Sequence, residues 1–207
     1  MPSKEKIITI SGKQTHKFKE KGSLFLGQAF KVTSQGKAEE QLSLCRKDYF
    51  DATHNCYAYR LLDEQFKYSD DGEPNGTAGI RIFNAIEHFD LFNVLVVVTR
   101  YYGGTKLGVG PLGKAYYQSA HSVLEKADKV EKINHSKIEI EFDYDQTSNV
   151  HHFISKHGVR NIENNFEKLP AITCYIKPEN LNALQNELQE VSKGSIIVKE
   201  LERDKFI

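Results

Sequence analysis

The chain has no tryptophan, one methionine and three cysteines in 207 residues. Those cysteines, Cys45, Cys56 and Cys174, are odd in number and widely spaced, with no CxxC pair among them. Such a set builds neither a disulfide framework nor a zinc knuckle. Net charge is missing too, since 28 Lys and Arg balance 28 Asp and Glu. Charge alone therefore makes no case for nucleic acid. Long apolar runs are also absent. The longest, VLVVV at Val94–Val98, falls far short of the ~20 residues that span a bilayer. The opening MPSKEKIITI lacks the apolar core of a signal peptide. The expectation is a reduced, soluble, cytoplasmic protein with no membrane partner.

What is present can build a core. Hydrophobic residues make up 39% and charged residues 27%, which fits a packed α+β protein rather than a disordered chain. Residues 134–207 carry 9 Lys and Arg against 12 Asp and Glu, leaving 19 against 16 for residues 1–133. The front is slightly basic and the back slightly acidic. The polar stretch Lys129–His135 has little periodicity and marks the expected boundary between a domain over 1–133 and one over 134–207.

Periodicity predicts the elements. Ile7–Gly12 and Ser23–Val32 read as strands. Ser34 suits the N-cap of a helix over Ala38–Tyr49. Cys56–Leu62 and Phe66–Ser69 read as a strand pair joined by the polar turn Asp63–Gln65. Ile82, Phe83, Ile86 and Phe89 have helical spacing within Ala78–Phe89. Phe92–Tyr102 is the strongest strand, and its unbroken apolar run predicts cover on both faces. Pro111 suits the first turn of a helix reaching about Ala127. Beyond the boundary come a strand at SKIEIEFDY, a helix over Gln146–His157, strands at Val159–Glu167 and Ala171–Lys177, a helix over Pro178–Val191 and a strand over Ser195–Leu201. That order is βαββαβ, the split βαβ or ferredoxin-like arrangement.

Two loops could carry chemistry. In TRYYGGTKLGVGPLGKAY, Gly103, Gly104, Gly108 and Gly110 crowd between a buried strand and a helix. Backbone N–H groups in such a loop approach anions closely, and the helix dipole assists. Arg100, Lys106 and Lys114 share the span, and Tyr101 and Tyr102 offer faces for base stacking. The plainer reading is a long connection with glycines for tight turns. Gly108 to Gly113-Lys114 approaches a Walker A loop, but Ala115 stands where a hydroxyl would hold Mg²⁺. GxGxxG matches literally from Gly108 to Gly113, yet the strand ends several residues too early for a dinucleotide fold.

The second loop, SDDGEPNGTAG, carries Asp70, Asp71 and Glu73. The alternating ligands of an EF-hand are missing. Gly72, Pro74, Asn75 and Gly76 are turn residues, and Thr77 or Asn75 can cap the following helix. The competing readings are a helix launch, an anchor for the basic loop, and an acidic or metal site. His54 and Cys56 lie on one face of an extended segment without an orienting acid nearby in sequence, so core packing is the simpler reading. Adjacent His151 and His152 diverge on a helix and make a poor metal pair. No cofactor, metal set or catalytic residue is assigned from the sequence.

SDDGEPNGTAG, the loop VVVTRYYGGTKLGVGPLGKAY and the upstream HNCYAY at His54–Tyr59 together resemble the signature of the IMPACT family, which has bacterial YigZ-like members. One departure is Gly110-Pro111-Leu112-Gly113, where the family more often has Gly-Gly-Leu-Val. The resemblance implies a front domain like the second domain of ribosomal protein S5. It also implies a ferredoxin-like tail like the last domain of elongation factor G. Both analogies point toward RNA or ribosomes as partners. Eukaryotic relatives regulate translation under stress, in part through a further domain, so protein partners of translation control are implied but that mechanism does not carry over. The leading expectation is a non-enzymatic protein binding nucleic acid or the translation machinery. Its binding surface would be Arg100, Tyr101, Tyr102, Gly103, Gly104, Lys106, Gly108, Gly110 and Lys114. The acidic loop of Asp70, Asp71, Gly72, Glu73 and Pro74 would order that surface. The alternatives are an enzyme acting on a phosphorylated small molecule or nucleotide through the Gly-rich loop, and a protein-interaction module.

Overall fold

A computed structural model describes residues 4–62, 65–165 and 169–207. The strands are β1 (Lys6–Ile10), β2 (Gln14–Glu20), β3 (Ser23–Lys31), β4 (His54–Arg60), β5 (Phe66–Ser69), β6 (Val94–Tyr101), β7 (Lys129–Glu141), β8 (Arg160–Asn165), β9 (Ala171–Ile176) and β10 (Ile197–Phe206). The helices are α1 (Gln35–Asp48), α2 (Gly79–His88), α3 (Val109–Glu125), α4 (Thr147–Lys156) and α5 (Pro178–Ser192), with a short 3₁₀ turn before α4. The protein is α+β. Two compact units divide the chain: Ile8–Glu131, and the stretch up to Ile7 with Lys132–Ile207. The polar stretch at which the sequence marks a boundary is not a loop but the start of β7.

In the first unit the sheet order is β2-β3-β6-β4-β5, with every neighbouring pair antiparallel. The apolar run of β6 sits at its centre and is covered on both faces, as its composition predicts. Val94, Val96 and Val98 point with Phe25, Cys56 and Ala58 into a core closed by α2 and α3. Leu95 and Val97 point the other way, with Tyr57 and Tyr59, against Ala38, Leu42 and Cys45 of α1. Alternation along a strand makes one segment serve two cores. The Ser34 side chain caps α1 by accepting from the Lys37 N–H at 3.3 Å.

One strand has no counterpart in the sequence reading. β2, QTHKFKE, is an edge strand whose alternate residues Thr15, Lys17 and Lys19 are exposed. Only Phe18 is apolar, and it stacks on Phe25 at 5.2 Å between ring centroids. The pairing expected between the two strands around residues 56–69 is present. Asp63 and Glu64 of their expected turn lie outside the described residues, as does Glu167 at the end of the expected strand 159–167.

In the second unit the elements follow the order β7-α4-β8-β9-α5-β10. β9 lies antiparallel between β7 and β8, and β10 pairs with β7. Ile138, Ile140, Ile172, Cys174 and Ile176 form one face of this sheet with Val150, Ile154, Leu184 and Leu188 from the two helices. Lys193 ends α5 in the left-handed conformation, with Gly194 following. Among the described residues no helix is long and apolar enough to cross a membrane.

Candidate functional site

The acidic loop is a built object. Asp70 Oδ1 accepts from the N–H groups of Ala78 (2.9 Å) and Gly79 (2.8 Å), and Oδ2 accepts from Gly76 at 2.9 Å. One carboxylate thus satisfies the start of α2 from eight to nine residues upstream. This corrects the expectation that Thr77 or Asn75 caps the helix. The Thr77 hydroxyl instead donates to the Pro74 carbonyl at 2.6 Å, and the N-cap position, Ala78, has no side-chain cap of its own. Asp71 accepts from the Asn55 N–H through Oδ2 (2.7 Å) and pairs with Arg46 through Oδ1 (2.9 Å). Its carbonyl meets His54 Nδ1 at 2.8 Å. A carbonyl only accepts, so Nδ1 carries the proton there.

Glu73 goes inward. Its side chain is 4% exposed, and Oε1 accepts from Arg100 Nη1 at 2.6 Å and from the Tyr116 hydroxyl at 2.7 Å. His54 Nε2 is 3.7 Å from Oε2, too far for a hydrogen bond, so the imidazole is held by the Asp71 carbonyl rather than by an acid. Arg100 also donates to Ser23 Oγ (3.3 Å), and its guanidinium lies 5.5 Å from the ring centroids of Phe25 and Tyr102. Its buried Nε has no partner among the described residues. Burial drives the Tyr116 phenol far above its usual range, and the Cys56 thiol likewise. Cys56 donates to the Asp70 carbonyl at 2.9 Å. An un-ionised buried thiol is packing, not a nucleophile. The described residues contain no group of three or more His, Cys, Asp or Glu able to hold a metal ion.

The two signature loops therefore meet, but through the interior. Arg100, expected on an anion-binding surface, is 5% exposed and its charge is matched by Glu73. Tyr101 is tied to Asp51 at 2.8 Å, a hydrogen bond that raises its phenol to about 12. Tyr102 is half exposed and donates to the Gly104 carbonyl. Gly103 packs on the β2–β3 turn, where a Cβ would overlap the Gly22 carbonyl. Lys106 stays exposed in the loop.

Past Lys106 the chain enters α3 earlier than a nucleotide-binding loop permits. Gly108 holds the N-cap position with φ 77°, and the helix begins at Val109. Gly113 and Lys114 lie inside its first two turns rather than in a phosphate-wrapping loop, so the Walker-like match is coincidental. β6 ends at Tyr101, well before Gly108, so the GxGxxG match does not follow a strand as a dinucleotide fold requires. The surface at this helix start is nevertheless concave. A solvent-open cleft of about 430 Å³ is lined by Gly76, Thr77, Arg81, Asn84, Val109, Gly110, Gly113, Lys114 and Tyr117. A Cβ at Gly113 would stand 3.3 Å from Arg81 Nε, so the missing side chain gives the guanidinium its place. Among the described residues no carboxylate lies within ion-pair distance of Arg81, Lys106 or Lys114. The start of α3 has no side-chain cap either, and its free N–H groups add partial positive charge. Arg81, Asn84 and Tyr117 were not anticipated. Their helical spacing was readable, but nothing in sequence tells which faces of two helices adjoin.

The fold and cleft define a class: a two-unit α+β protein whose signature loops are braced by a buried ion pair behind a cationic cleft. The chain belongs to the IMPACT family. The model of the Impact N-terminal domain matches residues 21–124, which contain both loops and the cleft. The chain is 28% identical over 195 residues to IMPACT family member YvyE of Bacillus subtilis, covering 93% of this chain and 90% of that one. It is 37% identical over 129 residues to the IMPACT family member in the pol 5'region of Thermus thermophilus, covering 62% and 70%. A crystal structure of a hypothetical protein shares the fold, with a TM-score of 0.71 at 23% identity over 96% of this chain and 98% of that one.

Proposed function

We propose that this protein is a non-enzymatic binder acting in translation control, and that it engages RNA phosphates through the start of α3. The carrying observation is the cleft: Arg81 and Lys114 face one concavity without carboxylate partners. Lys106 and the half-exposed Tyr102 belong to the same loop-and-helix segment. Two unpaired cations at an uncapped helix start form an anion site by simple electrostatics. No carboxylate or imidazole lines the cleft among the described residues, which favours binding over acid–base chemistry on a phosphorylated small molecule. The S5-like reading of the first unit, the ferredoxin-like and elongation-factor-like reading of the second, and the link to translation rest on the family resemblance.

Ribosome co-sedimentation and RNA binding across a salt series test this reading. Binding is expected to weaken with salt at a slope of about −0.7 per phosphate contacted on a single strand. Lys114→Ala is expected to weaken binding and to reduce the slope by about one contact. Absence of binding to both RNA and ribosomes at low salt overturns the reading.

A further inference from the structure

The cleft is one end of a longer seam. Arg81 lies against Gly113, and about two turns further along each helix the rings of His88 and His121 are 5.1 Å apart. The two helices therefore run side by side in the same direction. His121 also stands 5.8 Å from Tyr117, which lines the cleft. Arg81, Asn84 and His88 follow one another at i, i+3 and i+7 on α2. Lys114, Tyr117 and His121 follow at i, i+3 and i+7 on α3. Each triplet keeps to one helical face.

The two ends differ in chemistry. At the N-terminal end sit the cations. Asp70 already occupies the start of α2, so the uncapped positive end is that of α3. Tyr117 stands at the margin of the cleft, and at the other end sit two imidazoles, His88 and His121, with Phe89 packed beside His121 at 4.8 Å. Cations followed by ring faces suit a strand that carries phosphates and bases. An acidic peptide would use the cations but leave the rings idle.

We propose that the α2–α3 seam binds a short single-stranded nucleic acid segment, with a phosphate at Arg81 and Lys114 and bases stacked on Tyr117 and His121. This rests on the phosphate-binding reading above and extends it. From Lys114 to His121 is about 10 Å along the helix, the length of about three nucleotides at roughly 3.4 Å of rise per strand.

The test is competition by unlabelled 5′-phosphorylated oligouridines of one to eight nucleotides against a fluorescein-labelled octamer on the full chain. Affinity is expected to rise at least about tenfold from one nucleotide to four and then to level off. Tyr117→Ala and, separately, His121→Ala are each expected to remove most of that gain, and Tyr117→Phe retains it, as stacking requires. Melting curves identify any variant that fails to fold, and each of the two positions tests the seam alone. If affinity does not depend on length while Lys114→Ala still weakens it, the seam is refuted and the phosphate site stands. If polyglutamate competes as well as the octamer does, the ligand is an acidic chain and the nucleic-acid assignment falls. If the octamer does not bind at low salt, both readings fall.

Discussion

Replacing Glu73 with glutamine keeps the shape of the side chain and removes its charge. The consequence follows from burial. Glu73 and Arg100 are 4% and 6% exposed at the side chain and 2.6 Å apart. In Glu73→Gln the guanidinium stays inside with no counter-charge, and its Nε is already without a partner among the described residues. Removing one member of a buried pair destabilises by roughly 3–5 kcal/mol. With a urea slope of about 2 kcal/mol/M, the unfolding midpoint is expected to drop by about 2 M. The absence of tryptophan makes far-UV circular dichroism the natural signal, and amide exchange along β6 assigns the loss to the unit spanning Ile8–Glu131. Glu73→Leu with Arg100→Met supplies the second arm. Both charges are then gone, and this double variant is expected to be more stable than Glu73→Gln, since well-packed apolar replacements of a buried pair are often neutral. A midpoint that falls by less than about 0.5 M in Glu73→Gln refutes the reasoning, because the pair would then be solvated like a surface bridge.

Three further outcomes follow from the same structure. Asp70→Ala frees three backbone donors at the start of α2 and is expected to destabilise by about 1–2 kcal/mol, read as a melting point lower by roughly 2–8 °C, with partial recovery in Asp70→Asn. Burial raises the thiols of Cys45 to about 11 and of Cys174 to about 12. The native protein is therefore expected to resist a disulfide reagent at pH 8 while the unfolded chain releases three thiol equivalents. A thiol raised on folding supports stability below its unfolded pKa and loses that support as pH climbs through the folded value. The melting point is thus expected to fall as pH rises from about 9 toward 11.

Local signals carried most of the element order. The Ser34 cap, the double-faced run of β6 and the βαββαβ order of residues 129–206 depend on neighbours within a few residues. β2 escaped because a basic edge strand with one apolar residue lacks the pattern that marks strands. The cap of α2 escaped because Asp70 reaches eight residues along the chain, past the Thr and Asn that local rules favour. The candidate site was half legible. Its glycines and Lys114 stood out as a cluster, but Arg100 was assigned to the surface because its burial depends on Glu73, 27 residues away. Arg81 reaches the cleft only through the adjacency of α2 and α3, which is a tertiary fact.

The contact between Gly103 and the β2–β3 turn divides the glycine-rich loop into two mechanical parts. A Cβ on Gly22 would come within 2.8 Å of the Gly103 carbonyl, and the Gly103 N–H is directed at Ser23 Oγ, 3.4 Å away. Backbone against backbone leaves no side chain to rearrange. Residues 102–104 therefore behave as an extension of the sheet. A second anchor follows at Leu107, buried in the core beneath α2 and α3, so the exposed Thr105 and Lys106 are the part left to adapt. Whatever reaches the start of α3 meets a segment held on both sides, and ligand-driven movement is confined to about two residues. Inserted residues should be accepted between Gly104 and Leu107 and rejected at either anchor.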